Sequence, residues 1–119
     1  MLRNGVDLIE ISRLSELNPS IKNRFITRVF TENEIAICNE NDASLAGRFA
    51  AKEAVAKALG TGIGDIRWKD IEILQKENGE PVIVLHANAK QMEETLGITQ
   101  WAISISHNRS MAMAFVIAL

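Results

Sequence analysis

Residues 45–64 read LAGRFAAKEAVAKALGTGIG and carry the strongest helix pattern in the chain. Residues 45–59 are rich in Ala and Leu and contain no proline, which is typical of a strong helix former. Gly60 is placed to end this helix, and residues 61–64 predict a loop with two more glycines. The sequence therefore predicts one long central helix followed by a glycine-rich loop.

Short apolar segments on both sides of this helix predict strands and shorter helices. Residues 5–11 are apolar and partly β-branched, as in a strand. Asn78-Gly79 between two apolar runs predicts a hairpin, and Thr31 with Glu34 forms the pattern of a helix capping box. We expect strands at 5–11, 70–76, 81–86, 101–106 and 111–119, and helices at 12–17, 21–30, 31–39, 45–59 and 88–96.

These elements predict an α+β fold in a single domain, residues 1–119, with a small, mostly antiparallel sheet around the central helix. In the last strand Met111, Met113 and Phe115 share one face, which we expect to be core. The opposite face carries Ala112, Ala114, Val116 and Ala118. So small a face invites close approach by another element or by another subunit.

Composition limits the classes of function. The chain has 119 residues, 47% hydrophobic and 24% charged, which fits a globular domain and excludes a disordered tail. The net charge of −2 does not favour nucleic acid as a partner, and no apolar run approaches the ~20 residues of a membrane span. Cys38 is the only cysteine, so we expect no internal disulfide and a reducing, cytoplasmic location.

Two acidic residues do not fit a purely apolar core. Asp7 lies inside an apolar strand, where a lone buried carboxylate would be costly unless it meets a cation, a metal or water. Glu53 shares a helix face with Phe49 and Lys57. The alternatives are a surface Asp at a strand end and an ordinary Glu53–Lys57 pair, which would contribute only about 0.2–0.5 kcal/mol.

If Asp7 and Glu53 converge, they make a magnesium site, because Mg²⁺ usually takes one or two carboxylates and completes its shell with water and substrate phosphates. Arg48, Lys52 and Lys57 would then neutralise phosphate charge, and the loop with Gly60 and Gly62 would let backbone N–H groups approach it. This pattern favours phosphoryl-type chemistry. Ser106-His107 does not favour a serine hydrolase, since neighbouring strand residues point to opposite faces.

Several segments in chain order resemble the holo-acyl-carrier-protein synthase family, and the resemblance covers nearly the whole chain. The central signature is GRFAAKEA at residues 47–54, with Lys57 and the glycines of residues 60–64. The other matching segments are GVDLIEISR at 5–13, Arg24-Phe25, Phe30-Thr31 with Glu34, DIEI at 70–73, Asn78-Gly79 with Pro81, and SISH at 104–107. Arg3 is a departure, since many relatives carry glycine there.

The resemblance implies a 4′-phosphopantetheinyl transferase-like fold and a magnesium-dependent transfer of 4′-phosphopantetheine from coenzyme A to a serine of apo acyl carrier protein. Asp7 and Glu53 match the magnesium ligands, and Lys57 matches an active-site lysine. The serine's proton would pass to Glu53 or to a metal-held water. The expected coenzyme A contacts are Arg48, Lys52, Gly60, Gly62, Ser106 and His107.

The resemblance also implies partners. Arg13, Arg24, Phe25 and Arg28 match the region that docks the acidic carrier protein, and relatives form trimers with active sites between subunits. The alternatives are a non-catalytic module that binds coenzyme A or a carrier protein, and a magnesium-dependent phosphohydrolase.

Overall fold

The computed structural model describes residues 1–119, in five α-helices and five strands. All elements expected from the sequence are present, and their bounds differ from expectation by no more than a few residues. The helices are α1 (Ser12–Ser15), α2 (Pro19–Val29), α3 (Glu32–Cys38), α4 (Asp42–Leu59) and α5 (Ala87–Leu96), and a 3₁₀ turn spans Trp68–Asp70. The strands are β1 (Arg3–Glu10), β2 (Ile71–Gln75), β3 (Pro81–Leu85), β4 (Trp101–His107) and β5 (Met111–Ala118).

The strands form two antiparallel sheets rather than one. A three-stranded sheet has the order β1-β5-β4, and β2 pairs only with β3. The central helix α4 packs against the three-stranded sheet and contacts β2 as well. The α+β class with a long central helix is thus confirmed, and the expected single sheet is divided into two.

Local sequence signals explain where the helices begin and end. The Asn41 side chain accepts a hydrogen bond from the Ser44 amide (2.9 Å) and starts α4. Gly60 ends it in the left-handed conformation, with φ +79°. The Arg3 Nε donates to the Ala58 carbonyl at this end of α4, which is favourable because helix carbonyls there lack partners. The capping box of α3 is present, with Thr31 and Glu34 each bonding the other's backbone.

The closest contact between β1 and α4 occurs at Gly5. A Cβ atom built on Gly5 would lie 1.9 Å from the Ala54 carbonyl oxygen, so no other residue fits without moving the helix. Glycine therefore allows β1 to lie directly on α4. This contact places the next inward residue of β1, Asp7, beside the same helix.

The prediction that the large apolar side chains of β5 face the core is wrong. Ala112, Ala114, Val116 and Ala118 are buried beneath α4, whereas Met113 is 42% and Phe115 is 41% exposed. The physical reason is that α4 itself presents small side chains to the sheet, so two small faces meet closely within the same chain. The larger apolar side chains of β5 are left on the outer face.

A second group of contacts joins α3 to the smaller sheet. The Glu72 carboxylate accepts hydrogen bonds from Thr31 Oγ1 (2.6 Å) and from Asn33, and it lies 3.0 Å from the His86 Nε2. Burial would raise the pKa of Glu72, but these hydrogen bonds outweigh it and hold the pKa below the usual range. Buried polar groups on β2 are thereby satisfied by the start of α3.

No helix combines the length and the apolar character that crossing a membrane requires.

We expect Gly5→Ala to destabilise the protein strongly, by about 1–3 kcal/mol or more, because the new methyl group would overlap backbone atoms that cannot rotate away. The measurement is the free energy of unfolding from denaturant titration. Gly64→Ala is the matched control, since a Cβ there meets no atom within 4 Å. Equal stability of the two variants would contradict the close β1–α4 contact.

Candidate active site

The structure brings Asp7 and Glu53 together. Asp7 lies in the middle of β1, opposite Ala114, on the face that packs against α4, and its side chain is 20% exposed. Glu53 is half-buried on α4, one residue before the Ala54 that contacts Gly5. Burial raises the pKa of Glu53, and the nearby Asp7 charge raises it further, although Lys57 and Arg13 oppose this shift. The two carboxylates are therefore close enough to repel each other.

Lys57 completes this group, but not as a partner of Glu53. Its Nζ donates to the Val6 carbonyl (2.8 Å) and lies 3.3 Å from Asp7 Oδ1, and it forms no ion pair with Glu53. The simple helical pair considered from the sequence is thus wrong. The Lys57 side chain is 52% exposed, so its ammonium group remains accessible from solvent.

The donor set fits a magnesium ion. Asp7 and Glu53 supply oxygen ligands, and no group of three or more His, Cys, Asp or Glu side chains is placed to hold a metal anywhere in the chain. Two carboxylates with open remaining positions match Mg²⁺, which keeps waters and takes substrate phosphate oxygens. A divalent cation bound between the two carboxylates would neutralise their charge and remove this repulsion.

Lys52 does not lie where the sequence placed it. Its side chain is fully buried, and its Nζ pairs with Glu34 Oε1 (2.8 Å) and donates to the carbonyls of Trp68 and Ile71. An ammonium group has three protons, and all three are used. The expectation that Lys52 neutralises phosphate is therefore wrong, because adjacent helix residues point in different directions and Lys52 faces β2 while Glu53 faces β1.

Arg48 is also largely inside the protein. It is 9% exposed, and its Nε donates to the Ile73 carbonyl at 3.0 Å. The role of Arg48 toward coenzyme A stays a prediction.

The two loop glycines differ in their surroundings. A Cβ on Gly60 would lie 2.9 Å from the Arg3 guanidinium, whereas a Cβ on Gly62 would meet no atom within 4 Å. Gly62 also has a positive φ of +65°. The space beside the Gly62 Cα is open, but the Gly62 N–H donates to the Ala56 carbonyl (3.3 Å) and the Gly60 N–H donates to the Lys57 carbonyl (3.0 Å). Both amides are therefore engaged by α4, and contact of this loop with coenzyme A stays a prediction.

Ser106 and His107 lie on opposite faces of β4, as expected from strand geometry. Ser106 pairs with Met113 on the outer face, and His107 pairs with Ala112 on the face toward α4. Both side chains are exposed, and β4 is the edge strand of its sheet. A cavity of about 220 Å³ spans all three strands near the β4–β5 turn and is lined by Leu8, Ser106, His107, Asn108, Met111 and Met113.

The expected docking residues lie along α1 and α2. Arg13, Arg24 and Arg28 are exposed, and none forms an ion pair with a carboxylate. Phe25 is half-buried between them, with its ring 5.4 Å from that of Phe49. These residues therefore form a basic surface with an aromatic side chain at its base.

Sequence reasoning missed Trp68. Its ring stacks on Phe49 at 4.9 Å, which continues the row of aromatic rings from α2. Trp68 is far from α2 in the sequence and follows an irregular loop, so neither periodicity nor a local motif indicates this contact. The only signal was an aromatic residue between two cations, at residues 67–69.

Comparison with known proteins agrees with this arrangement. The family model of the 4′-phosphopantetheinyl transferase superfamily matches residues 3–116. The chain is 49% identical over 118 residues to the holo-[acyl-carrier-protein] synthase of Alkaliphilus oremlandii, covering 97% of this chain and 96% of that protein. It is 48% identical to the Moorella thermoacetica synthase, covering 96% and 91% of the two chains.

Solved structures give the same result. The Helicobacter pylori holo-[acyl-carrier-protein] synthase in complex with coenzyme A superposes with a TM-score of 0.88 at 33% identity, covering 98% of this chain and 99% of that one. The Bacillus anthracis synthase, in complex with CoA (3′,5′-ADP), superposes with a TM-score of 0.78 at 32% identity and covers 98% and 94%.

The fold is thus that of a phosphopantetheinyl-transferring enzyme. The chain belongs to the 4′-phosphopantetheinyl transferase superfamily, in its holo-[acyl-carrier-protein] synthase family.

Removing the charge of Lys52 should lower the stability of the protein far more than removing the charge of Lys57. Lys52→Met leaves the Glu34 carboxylate buried without its cation, so we expect a loss of about 3–5 kcal/mol in the free energy of unfolding. Lys57→Met removes a half-exposed ammonium and should change stability by about 0–1 kcal/mol. Denaturant titration of both variants measures the difference, and a stable Lys52→Met protein would contradict the structural role.

Proposed function

We propose that this enzyme transfers 4′-phosphopantetheine from coenzyme A to a serine of apo acyl carrier protein and releases adenosine 3′,5′-bisphosphate. The observation that carries the proposal is the meeting of Asp7 and Glu53, from β1 and α4, beside the accessible Lys57. The relatives bear the name of this activity, and both solved structures described above are named as complexes with coenzyme A, the second as CoA (3′,5′-ADP).

Asp7 and Glu53 are the proposed ligands of Mg²⁺. When bound, the ion would supply positive charge to the coenzyme A diphosphate and to the leaving phosphate. No third carboxylate competes for its remaining positions. The Lys57 Nζ lies 3.3 Å from Asp7 Oδ1, so a side-chain cation already accompanies one of the two carboxylates.

In the proposed reaction the carrier serine oxygen bonds to the phosphorus that carries pantetheine. The bond from that phosphorus to the oxygen of the adenosine bisphosphate breaks, and the electron pair stays with this leaving group. Glu53 or water accepts the serine proton. Lys57 lies one helical turn after Glu53 and can turn from the Val6 carbonyl toward the developing phosphate charge.

We further propose that the backbone at Gly60 and Gly62, with Arg48, Ser106 and His107, contacts coenzyme A. Ser106 and His107 line the cavity that spans the three strands, together with Leu8 and Met113 from the outer face. Arg13, Arg24, Phe25 and Arg28 are the proposed docking residues for the carrier. An acidic partner would be steered by these unpaired cations and anchored by the aromatic ring.

We also propose a homotrimer with active sites between subunits. The outer face of β1 and β5 exposes Val6, Leu8, Met113, Phe115 and Ile117, of which Val6 and Phe115 are direct cross-strand neighbours. Monomers rarely leave such a continuous apolar face in water. Because Leu8 and Met113 belong both to this face and to the cavity with Ser106 and His107, a second subunit covering the face would contribute to the coenzyme A site.

A cytoplasmic location is part of the proposal. Cys38 is buried and free, and burial raises the pKa of its thiol, which keeps it protonated and unreactive.

A mass assay tests the transfer. With Mg²⁺ and coenzyme A, apo carrier protein should gain the mass of phosphopantetheine, and chelation of Mg²⁺ should abolish the gain. Asp7→Asn and Glu53→Gln should each lower the rate by about 10²-fold or more, because each removes an ionised ligand from the phosphate-binding site. Glu94→Gln, on the exposed face of α5, is the matched control and should keep full activity.

Other outcomes separate the alternatives. Binding of coenzyme A that survives chelation, with no modified product, would indicate a binding module. Release of phosphopantetheine to water without a carrier would indicate a phosphohydrolase. Either result would contradict the proposed transfer.

The trimer has its own test. Phe115→Lys places a charge in the centre of the exposed apolar face, and we expect it to shift the protein from trimer to monomer in light scattering after size-exclusion chromatography. Leu96→Lys, at the end of α5, is the control and should leave the trimer intact. A wild-type monomer would contradict the proposal.

A further inference from the structure

Arg3 is a cation that neither the proposed metal site nor the docking surface uses. It opens β1 and lies on the same face of the strand as Gly5 and Asp7, which is the face that packs against α4. Its side chain is half-buried there and forms no ion pair with a carboxylate. Its partners are instead backbone groups at the end of α4.

Two contacts place the Arg3 guanidinium across the last turn of α4. Its Nε donates to the Ala58 carbonyl at 2.6 Å. Its Nη2 lies 2.9 Å from the position that a Cβ on Gly60 would take, so the guanidinium covers the Cα of the residue at which the helix ends. The side chain thus touches both the helix and the first residue after it.

Arg3 reaches a carbonyl that the loop after α4 leaves free. The last four carbonyls of a helix have no partner inside the helix. The amides of residues 60–62 turn back to the Ala56 and Lys57 carbonyls, at 3.0–3.3 Å, and the Ala58 carbonyl accepts from Arg3 instead. A cation at this end of a helix is also favoured by the helix dipole. The side chain and the loop together close the end of α4.

The rest of the glycine loop has few contacts of its own. Residues 61–65 form neither helix nor strand. A Cβ on Gly62 or on Gly64 would meet no atom within 4 Å. Beyond residue 62 the loop is held by the Gly64 amide, which donates to the Ile66 carbonyl (3.2 Å), and by the Asn88 side chain, which donates to the Asp65 carbonyl (2.9 Å). The direction of the loop is therefore set largely where it leaves α4, under Arg3.

The same strand holds both the loop and the carboxylate site. Successive inward residues of β1 meet the end of α4: Arg3 bonds Ala58, a Cβ on Gly5 would lie 3.1 Å from the Ala58 amide nitrogen, and Asp7 pairs with Lys57. A side chain that fixes the end of α4 on β1 consequently fixes the start of the loop relative to Asp7.

We propose that Arg3 is a positioning residue for coenzyme A: it fixes the turn at Gly60 against β1, so that the loop of residues 60–64 keeps one geometry relative to Asp7 and Glu53. This inference rests on the proposed function, in which the loop and the two carboxylates contact coenzyme A. Arg3 acts through Ala58 and Gly60 and not on the reacting atoms. A loop that is ordered in advance loses less entropy when a ligand binds, so the effect falls on coenzyme A affinity.

Steady-state kinetics of Arg3→Met test the proposal, because methionine keeps an unbranched side chain but has neither a charge nor an N–H donor. We expect the KM for coenzyme A to rise about threefold to tenfold, with kcat and the KM for apo carrier unchanged, since a loss confined to binding spares the chemical step. Arg3→Lys keeps a donor for the Ala58 carbonyl and should recover part of the wild-type value. Lys90→Met removes a cation from α5, is the matched control, and should leave every constant unchanged.

Hydrogen–deuterium exchange separates positioning from a purely structural role. In Arg3→Met the amides of residues 61–65 should exchange faster, whereas those of residues 46–55 in α4 should keep wild-type protection, because only the loop loses its anchor. Faster exchange throughout α4 and β1, with an unchanged KM for coenzyme A, would make Arg3 a structural residue and overturn the proposal. A fall in kcat with that KM unchanged would overturn it as well.

Calorimetric titration with coenzyme A and Mg²⁺ keeps this inference separate from the proposed function, since it needs neither carrier nor transfer. Arg3→Met should bind coenzyme A about threefold to tenfold more weakly than the wild type. Equal affinities would overturn the role of Arg3 even with transfer intact. Absence of transfer by the wild type would contradict the proposed function, while the difference in affinity would still decide the role of Arg3. A wild type that binds no coenzyme A would overturn both.

Discussion

The contact of Gly5 with the Ala54 carbonyl is the constraint on which the rest of the structure depends. It allows β1 to lie against α4 without a side chain between them. Asp7 lies two residues after Gly5 on the same face of β1, and Glu53 directly precedes Ala54, so the same contact brings the carboxylates together. The alanines of β5 extend this packing across the sheet, since interiors are packed to near-crystalline density and small faces must meet small faces.

The charged side chains of the central helix α4 lie on different faces and in different environments. Glu53 and Lys57 face β1 and remain reachable by solvent, whereas Lys52 points to β2 and is fully buried with Glu34. Burial lowers the pKa of Lys52, although Glu34 opposes this shift. The Lys52 ammonium joins α3, α4 and the 3₁₀ turn Trp68–Asp70 at one point, so the buried pair connects these elements and does not face the paired carboxylates.

Much of the fold and part of the site could be predicted from residues alone. Capping residues and glycines predicted the helix ends, because they act on backbone groups within a few positions. The meeting of Asp7 with Glu53 was a hypothesis based on two residues that did not suit their apolar surroundings. The sequence could not predict that the face of β5 with small side chains packs inward. Both faces of this strand are apolar, and alternation does not say which one is buried.

The sequence by itself determined the element order, the long central helix and the α+β class, because these follow from local propensity and short-range patterns. Only the tertiary structure decided which charges reach solvent. Lys52 and Lys57 have the same chemistry and lie on one helix, yet one is buried in the core and the other lies beside Asp7. It also decided that Phe25, Phe49 and Trp68 form one row, since contacts between residues distant in sequence depend on how whole elements pack.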